Sequence, residues 1–134
     1  MPSENCNANK PGPCCQKIDD MIGYAEPLIQ KWPAFYKYTL GERIMDEMLT
    51  MLRLATKARL RYMNKSTLAD LDTSKEILKT FVRRANNTVF QDRSGKERRL
   101  LTDHSFGVWS RAIAEIGCLI GGWMNSVSDR KSNK

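Results

Sequence analysis

Basic side chains concentrate in the middle of the chain at a spacing that suits contact with a polyanion. Residues 48–69 contain no acidic residue and five basic ones, namely Arg53, Lys57, Arg59, Arg61 and Lys65. Three of them, Arg53, Lys57 and Arg61, recur at i, i+4 and i+8 and would share one face of a helix. Solvated helix faces usually mix signs through Glu–Lys pairs, so the acid-free run favours a polyanion. The alternative is a solvated face whose cations favour the dipole of a helix C-terminus.

A second basic row follows with the same spacing. Lys75, Lys79 and Arg83 recur at i, i+4 and i+8, and Arg84 lies beyond them. The formal net charge of +7 also points to an anionic partner, either nucleic acid or an acidic protein surface. The candidate binding residues are the cations of the two rows and their neighbours: Arg53, Lys57, Arg59, Arg61, Lys75, Lys79, Arg83 and Arg84.

Residues that could carry catalysis are sparse. His104 is the only histidine, has no serine or cysteine motif around it, and stands at a predicted helix start, which suits a cap or a surface residue. One histidine cannot supply the two Glu-x-x-His pairs of a ferritin-like metal site. The chain also lacks a Gly-x-x-x-x-Gly-Lys loop for nucleotide phosphates. We therefore expect no enzymatic activity, no bound metal and no other cofactor.

The cysteines and the apolar runs indicate the compartment. Cys6, Cys14, Cys15 and Cys118 contain no Cys-x-x-Cys pair, so we expect free thiols in a reducing compartment. Residues 1–15 are polar and lack the apolar segment of a secretory signal. The apolar runs are far shorter than the roughly 20 residues that cross a bilayer. These features predict a cytoplasmic protein without a membrane partner.

Apolar residues recur at helical spacing in four segments that would position the basic rows. The segments are residues 16–32, 40–64, 68–89 and 103–128. Thr39 with Glu42 predicts a capping box at the second start, Thr67 with Asp70 a weaker one at the third, and Thr102 or Asp103 a cap at the fourth. Pro27 predicts a kink or break in the first helix. Short connections favour an all-α, antiparallel up-down-up-down four-helix bundle, with residues 91–101 as a loop or a ragged helix start and no strand.

The helical periodicity also predicts the core and the ends of the domain. Residues 1–15 form a predicted disordered tail, 16–128 the bundle, and 129–134 a loose basic tail. The predicted core stripes, one for each helix in chain order, are Ile18, Met21, Ile22, Ala25, Ile29 and Trp32; Ile44, Met48, Met51, Ala55, Ala58 and Tyr62; Leu68, Leu71, Leu78, Val82, Ala85 and Val89; and Phe106, Trp109, Ile113, Ile116, Ile120, Trp123 and Val127.

Two features raise the question of assembly. A second apolar group on the second helix lies about 100° from its core stripe and would pack on another helix of the chain or on a second subunit: Met45, Leu49, Leu52 and Met63. Gly117 and Gly121, one turn apart, form a flat strip that suits either dense packing within the monomer or a subunit seam. We predict that Leu49 and Leu52, or this strip, are buried between subunits.

Several motifs together resemble a known family over residues 18–127. Asp19-Asp20 through Trp32-Pro33, and then Tyr38-Thr39-Leu40-Gly41-Glu42-Arg43-Ile44, resemble the opening of four-helix-bundle proteins related to the 23S rRNA intervening-sequence protein. Ala114-Glu115-Ile116-Gly117 with Leu119-Ile120-Gly121-Gly122-Trp123 is similar to that family's closing helix. The spacing of Pro27 and Pro33 also resembles its Avd branch, the accessory proteins of diversity-generating retroelements.

The resemblance implies a ring-like homopentamer of four-helix bundles with a strongly basic outer surface. In the Avd branch it implies a non-catalytic bacterial or phage protein that binds the reverse transcriptase and nucleic acid to support mutagenic cDNA synthesis. The family's partner-binding residues correspond to Arg53, Lys57, Lys79, Arg83 and Arg84. The cysteine-bearing tail and residues 93–99 do not match the family pattern.

Two function hypotheses therefore stand side by side. The first is an accessory protein that holds RNA or DNA together with a reverse transcriptase, without strong sequence specificity because phosphate contacts do not read bases. The second is a structural oligomer of the rRNA intervening-sequence type whose basic faces meet an acidic protein.

Overall fold

A computed structural model describes residues 11–61 and 63–132, with side chains described for 12–61 and 63–127. The chain is mostly helical, with one small hairpin before the last helix. In order, the elements are α1 (Pro11–Gln30), α2 (Ala34–Tyr36), a π-helix (Lys37–Gly41), α3 (Glu42–Leu60), α4 (Lys65–Asn86), β1 (Val89–Gln91), β2 (Glu97–Arg99) and α5 (Asp103–Ser132).

The four long helices pack as a bundle in which each touches two others. Helix α1 packs on α3 and α5, and α4 packs on α3 and α5. Lys17 Nζ lies 3.0 Å from Glu115 Oε1, and the Trp32 indole N–H donates to the Leu100 carbonyl at 3.0 Å. Later residues on the α1 side therefore contact earlier residues on the α5 side, so α1 and α5 are antiparallel. The predicted all-α bundle is confirmed for the single chain.

The antiparallel order holds for the remaining pairs as well. The Ser74 hydroxyl of α4 donates to Glu47 of α3, and only residues 61–64 connect those two helices. A Cβ atom on Gly117 of α5 would lie 3.4 Å from Cδ of Lys75 in α4. Because sequential neighbours are adjacent in space, the connections can stay short.

Most residues of the predicted core stripes fill the centre of the bundle, while Ile22, Phe106 and Val127 are only half-buried against it. Trp109, Ile116, Ile18, Met48 and Leu71 are among the fully buried side chains. Val89 was predicted to belong to the core but is 47% exposed, because α4 ends at Asn86 and helical spacing no longer applies in β1. Tyr62 lies outside the described residues.

Both ends of the predicted domain extend further than expected. Helix α1 begins at Pro11 rather than residue 16, so residues 11–15 are not the predicted tail. Cys14 is buried because it continues the stripe one turn before Ile18, and a proline is tolerated in the first turn. The chain stays helical through Pro27. Helix α5 continues to Ser132 and so extends past residue 128, where the predicted bundle ends.

The predicted capping box at Thr39 is wrong because the chain is already helical there. Pro33 precedes α2 with φ −55° and ψ 148°, and helical structure continues from Ala34 through the π-helix into α3. The Thr39 hydroxyl donates to the Phe35 carbonyl at 2.6 Å instead of capping. Thr67 likewise does not cap α4, since α4 begins at Lys65 and Thr67 is buried within it.

Helix α3 ends at Leu60, earlier than the predicted residue 64. Arg61 is extended, with φ −114° and ψ 143°. The Asn64 side-chain amide donates to the Ala58 carbonyl at 3.0 Å, and the Leu68 amide donates to the Asn64 carbonyl at 2.9 Å. Asn64 thus supplies a donor to a carbonyl at the end of α3 and an acceptor for an amide at the start of α4. Four residues connect the two helices.

A two-stranded hairpin occupies part of the predicted loop 91–101. Strands β1 and β2 are antiparallel, with Phe90 opposite Arg98. Asp92 Oδ1 accepts from the amides of Ser94 at 2.9 Å and Lys96 at 3.0 Å, and Gly95 takes φ +83°, which favours glycine. Strands of three largely exposed residues give no detectable period-two pattern, which is why the sequence did not reveal them.

Candidate functional site

The α3 cations form an exposed basic surface, which we call the α3 row: Arg53, Lys57, Arg59 and Arg61. All four side chains are exposed. Within the part of the chain that the structure describes, none forms an ion pair with a carboxylate. Arg61 lies just past the end of the helix, so the row follows the last turns of α3 and continues onto the connection to α4. A row of uncompensated cations is available to phosphate groups or to acidic side chains.

The first cation of the α4 row is in a different environment. Lys75 Nζ lies 2.8 Å from Glu76 Oε2 and 3.2 Å from Asp72 Oδ1, and its side chain is only 14% exposed. Burial alone would lower the pKa of Lys75, but hydrogen bonds and charge from Glu76 and Asp72 outweigh it and raise that pKa. The same contact lowers the pKa of Glu76. The charge of Lys75 is thus offset locally.

The remaining α4 cations are open to solvent. Lys79, Arg83 and Arg84 are exposed, and no carboxylate among the described residues pairs with them. Lys79 and Arg83 lie on the side of α4 that faces α5. Arg84 lies on the other side, near α2 and the π-helix.

The two basic rows do not merge into one surface. Because α3 and α4 are antiparallel, the direction from Arg53 to Arg61 leads to the α3–α4 connection. The direction from Lys75 to Arg83 leads to the hairpin at the other end of the bundle. The chain therefore carries two separate cationic surfaces, an arrangement that spacing along the sequence could not reveal.

Lys79 and Arg83 border a groove of about 460 Å³ between α4 and α5. Val82, Phe106 and Ile113 give it an apolar floor, and Glu76 contributes one acidic side chain. Gly117 and Cys118 form part of the α5 wall. The combination of an apolar floor and two cations suits an amphipathic acidic segment better than a bare phosphate backbone.

A second groove, of about 440 Å³, lies where α2 and the π-helix meet the end of α4. We call it the aromatic groove, and its lining consists of Phe35, Tyr36, Tyr38, Thr39, Leu40, Arg43, Arg84 and Thr88. Phe35 is 69% and Tyr38 62% exposed. Sequence reasoning included Arg84 but missed Arg43 and the aromatic residues. The run Phe35-Tyr36-Lys37-Tyr38 was the available signal, because aromatic and basic residues interleave there.

A protein-family model described as bAvd-like matches residues 14–127. The chain belongs to the bAvd-like family. The matched region includes all the candidate cations, both grooves and the hairpin. No match to the chain is found among curated proteins.

In this bAvd-like chain the second apolar group predicted for α3 is only partly covered, and Met63 lies beyond the end of that helix. Met45 and Leu52 are half-buried against the core, whereas Leu49 is 49% and Met63 73% exposed. Packing on another helix of the same chain, one of the two predicted arrangements, therefore does not account for Leu49 or Met63. Burial of Leu49 and Leu52 between subunits remains a prediction.

The glycines of α5 differ in how closely they are packed. A Cβ atom on Gly117 would meet the alkyl chain of Lys75 at ordinary van der Waals distance, whereas a Cβ atom on Gly121 would meet nothing within 4 Å. Packing within the monomer therefore does not exclude a side chain at either glycine. A subunit seam along this strip remains a prediction.

Other parts of the described chain offer little for chemistry. His104 is exposed near the start of α5. Thr102 caps the first turn of that helix, because its Oγ1 accepts from the Ser105 amide at 3.0 Å. Across residues 12–61 and 63–127, no group of three or more His, Cys, Asp or Glu could hold a metal ion. None of the described helices is both long and apolar enough to span a bilayer.

Proposed function

We propose that this bAvd-like protein is a non-catalytic accessory protein of a diversity-generating retroelement. It binds the retroelement's reverse transcriptase and nucleic acid through its basic helix faces and supports mutagenic cDNA synthesis. The observation that carries the proposal is the α3 row, whose four exposed cations have no acidic partner among the described residues.

The α3 row is suited to the phosphate backbone rather than to base edges. Arg53 and Lys57 project from one face of a helix whose other side is packed in the bundle, and such cationic side chains can contact phosphate oxygens. Phosphate contacts position a nucleic acid but carry no sequence information. Binding to template RNA or to cDNA would then be tolerant of sequence, as a mutagenised copy requires.

Separate cationic surfaces allow two partners at once. A nucleic acid on the α3 row leaves Lys79, Arg83 and the apolar floor of the α4–α5 groove free. That groove suits an acidic amphipathic segment of the reverse transcriptase. The same observation favours the second candidate function, a structural protein of the rRNA intervening-sequence type whose groove holds an acidic protein and whose α3 row has no nucleic acid to bind.

Assembly completes the proposal. A homopentamer, suggested by the family resemblance, would repeat the α3 row around its outer surface, and multiple rows would increase affinity for a long polyanion. Leu49 and Leu52, or the strip of Gly117 and Gly121, would then be buried between subunits. Sedimentation showing a monomer at micromolar concentration would contradict this part.

The decisive experiment changes charge at the α3 row and compares it with an equal change elsewhere. The variant Arg53→Glu, Lys57→Glu, Arg61→Glu should lose binding to labelled RNA and DNA, with helicity and assembly unchanged. The matched control Lys31→Glu, Arg93→Glu, Arg111→Glu makes the same change in net charge at exposed positions. Equal weakening by both variants would show that net charge acts and that the α3 row does not.

Partner capture separates the two candidate functions. Pull-down of a reverse transcriptase encoded beside this protein, before and after nuclease treatment, tests the first. A protein partner captured by a chain with no affinity for polynucleotides at near-physiological salt would favour the second.

A further inference from the structure

The aromatic groove exposes ring faces that the bundle does not use. Phe35 and Tyr38 stand on one continuous helical segment, and more than half of each side chain is open to solvent. Large aromatic side chains gain free energy when they are covered, so two exposed rings beside each other indicate a surface that meets a partner.

The fold holds this surface in place. The Phe35 and Tyr36 rings pack edge to face, with centroids 5.1 Å apart and planes at 87°. Tyr36 in turn lies 6.1 Å from the Phe90 ring of the hairpin. These contacts hold the α2 backbone that carries Phe35 against the hairpin, so little order needs to be gained on binding.

The charges around the rings have one sign. Arg43 and Arg84 line the groove, and Lys37 Nζ lies 5.5 Å from the centroid of the Tyr38 ring. No acidic side chain is among the described residues that line it, whereas Glu76 lines the α4–α5 groove. An acidic residue would repel phosphate, so its absence from this lining distinguishes the two grooves chemically.

We propose that the aromatic groove binds single-stranded nucleic acid, with bases stacked on Phe35 and Tyr38 and phosphates at Arg43 and Arg84. This inference rests on the proposed function and specifies its substrate as an unpaired strand. In a duplex the base faces are already stacked and cannot reach the rings. Combining a cationic groove with exposed aromatic rings is the usual means of binding single strands without sequence preference.

The test measures binding of fluorescent oligothymidine and of a duplex of equal length to the full chain. Phe35→Ala and Tyr38→Ala leave the charge unchanged, and each should weaken single-strand binding by roughly 5-fold to 150-fold. Duplex binding, which depends on the α3 row, should change little. Ile77→Ala is the matched control, because Ile77 is apolar and 39% exposed but lies outside both grooves and outside the α3 row.

Two further readouts separate stacking from a structural role. Tyr38→Phe keeps a ring and should bind single strands like the unchanged protein, whereas Tyr38→Leu should bind like Tyr38→Ala. Oligonucleotides carrying 5-iodouracil, cross-linked by light, should attach to Phe35 or Tyr38 in the groove.

The outcomes distinguish this inference from the proposed function. If the unchanged protein binds neither form of nucleic acid, both fall. If it binds single strands and the alanine variants bind equally well, the groove assignment falls and the proposed function stands. If the alanine variants no longer assemble, or lose a protein partner while their oligonucleotide binding is unchanged, the groove is a protein interface and the assignment is overturned.

Discussion

Gly41 lies directly against Ile29, where the π-helix crosses α1. A Cβ atom on Gly41 would come within 2.8 Å of Ile29 Cγ2 and 3.2 Å of the Tyr36 carbonyl oxygen. Real Cβ atoms essentially never come within 3.0 Å of another heavy atom, so a larger residue at Gly41 requires the Ile29 side chain or the backbone to shift. Gly41 has φ −59°, so the position requires glycine for its missing side chain and not for its backbone angles.

Gly41→Ala should therefore lower the free energy of unfolding by about 1–3 kcal/mol through overpacking. Gly121→Ala is the control, because its Cβ would meet nothing within 4 Å and alanine favours a helix by about 1 kcal/mol over glycine. Urea unfolding at one protein concentration measures both. A stabilised Gly41→Ala variant would contradict the contact. A destabilised Gly121→Ala variant would indicate that another subunit covers that position.

Trp32→Phe should destabilise the chain more than Trp109→Phe. The Trp32 indole N–H donates to the buried Leu100 carbonyl at 3.0 Å, and leaving a buried acceptor unpaired costs about 1–3 kcal/mol. The indole N–H of Trp109 is also buried but has no hydrogen-bond partner among the described residues. Both changes remove similar volume, so the difference in unfolding free energy reports the hydrogen bond. Equal losses would show that it contributes nothing.

The hairpin should stay folded at acid pH because of Asp92. Hydrogen bonds from Ser94 and the guanidinium of Arg98 hold the pKa of the Asp92 carboxyl well below its usual range. A folded pKa below the unfolded value of about 3.9 means that this contribution is present above that pH and is lost as the pH falls through the folded pKa. NMR titration should show Asp92 still ionised near pH 3. Ser94→Ala should raise its pKa, and an unshifted midpoint in both proteins would contradict the turn geometry.

Cys14 should resist alkylation in the native protein, whereas Cys118 should react. Burial, with a smaller effect of Cys15, raises the pKa of the Cys14 thiol to about 12, and the thiolate is the nucleophile. Cys118 is exposed on α5. Iodoacetamide labelling followed by mass spectrometry gives the two rates, and both thiols should react equally in urea. Equal native rates would place Cys14 outside the core.

The core was predictable because helical period is a local property of the sequence. Spacings such as Ile18, Met21 and Ala25 specify the buried face whatever the neighbouring helix may be. The helix ends were less predictable. Thr39 and Thr67 fit a capping pattern, but preceding residues were already helical, so their hydroxyls had no free amides to accept from.

The hairpin was hidden by the shortness of its strands, and the site depended on contacts between distant residues. Asp92 forms its turn through hydrogen bonds within five residues, yet strands of three residues leave no periodic signal. The i, i+4, i+8 spacing predicted both basic rows as helix faces. Asp72 and Lys75 also have the i, i+3 spacing of a helical ion pair. The spacing could not show that Arg84 lines one groove with Phe35 and Arg43, which belong to other elements.

The π-helix at Lys37–Gly41 accommodates one more residue than an α-helical turn would. Deleting a single residue from it would restore α-helical spacing and swing everything before it by about 100° around the helix axis. Phe35 would then be turned away from Arg84, although no residue that lines the aromatic groove had been substituted. The orientation of the rings in the aromatic groove therefore depends on the π-helix. A chain that keeps every aromatic residue but loses the extra residue of the π-helix should lose the groove.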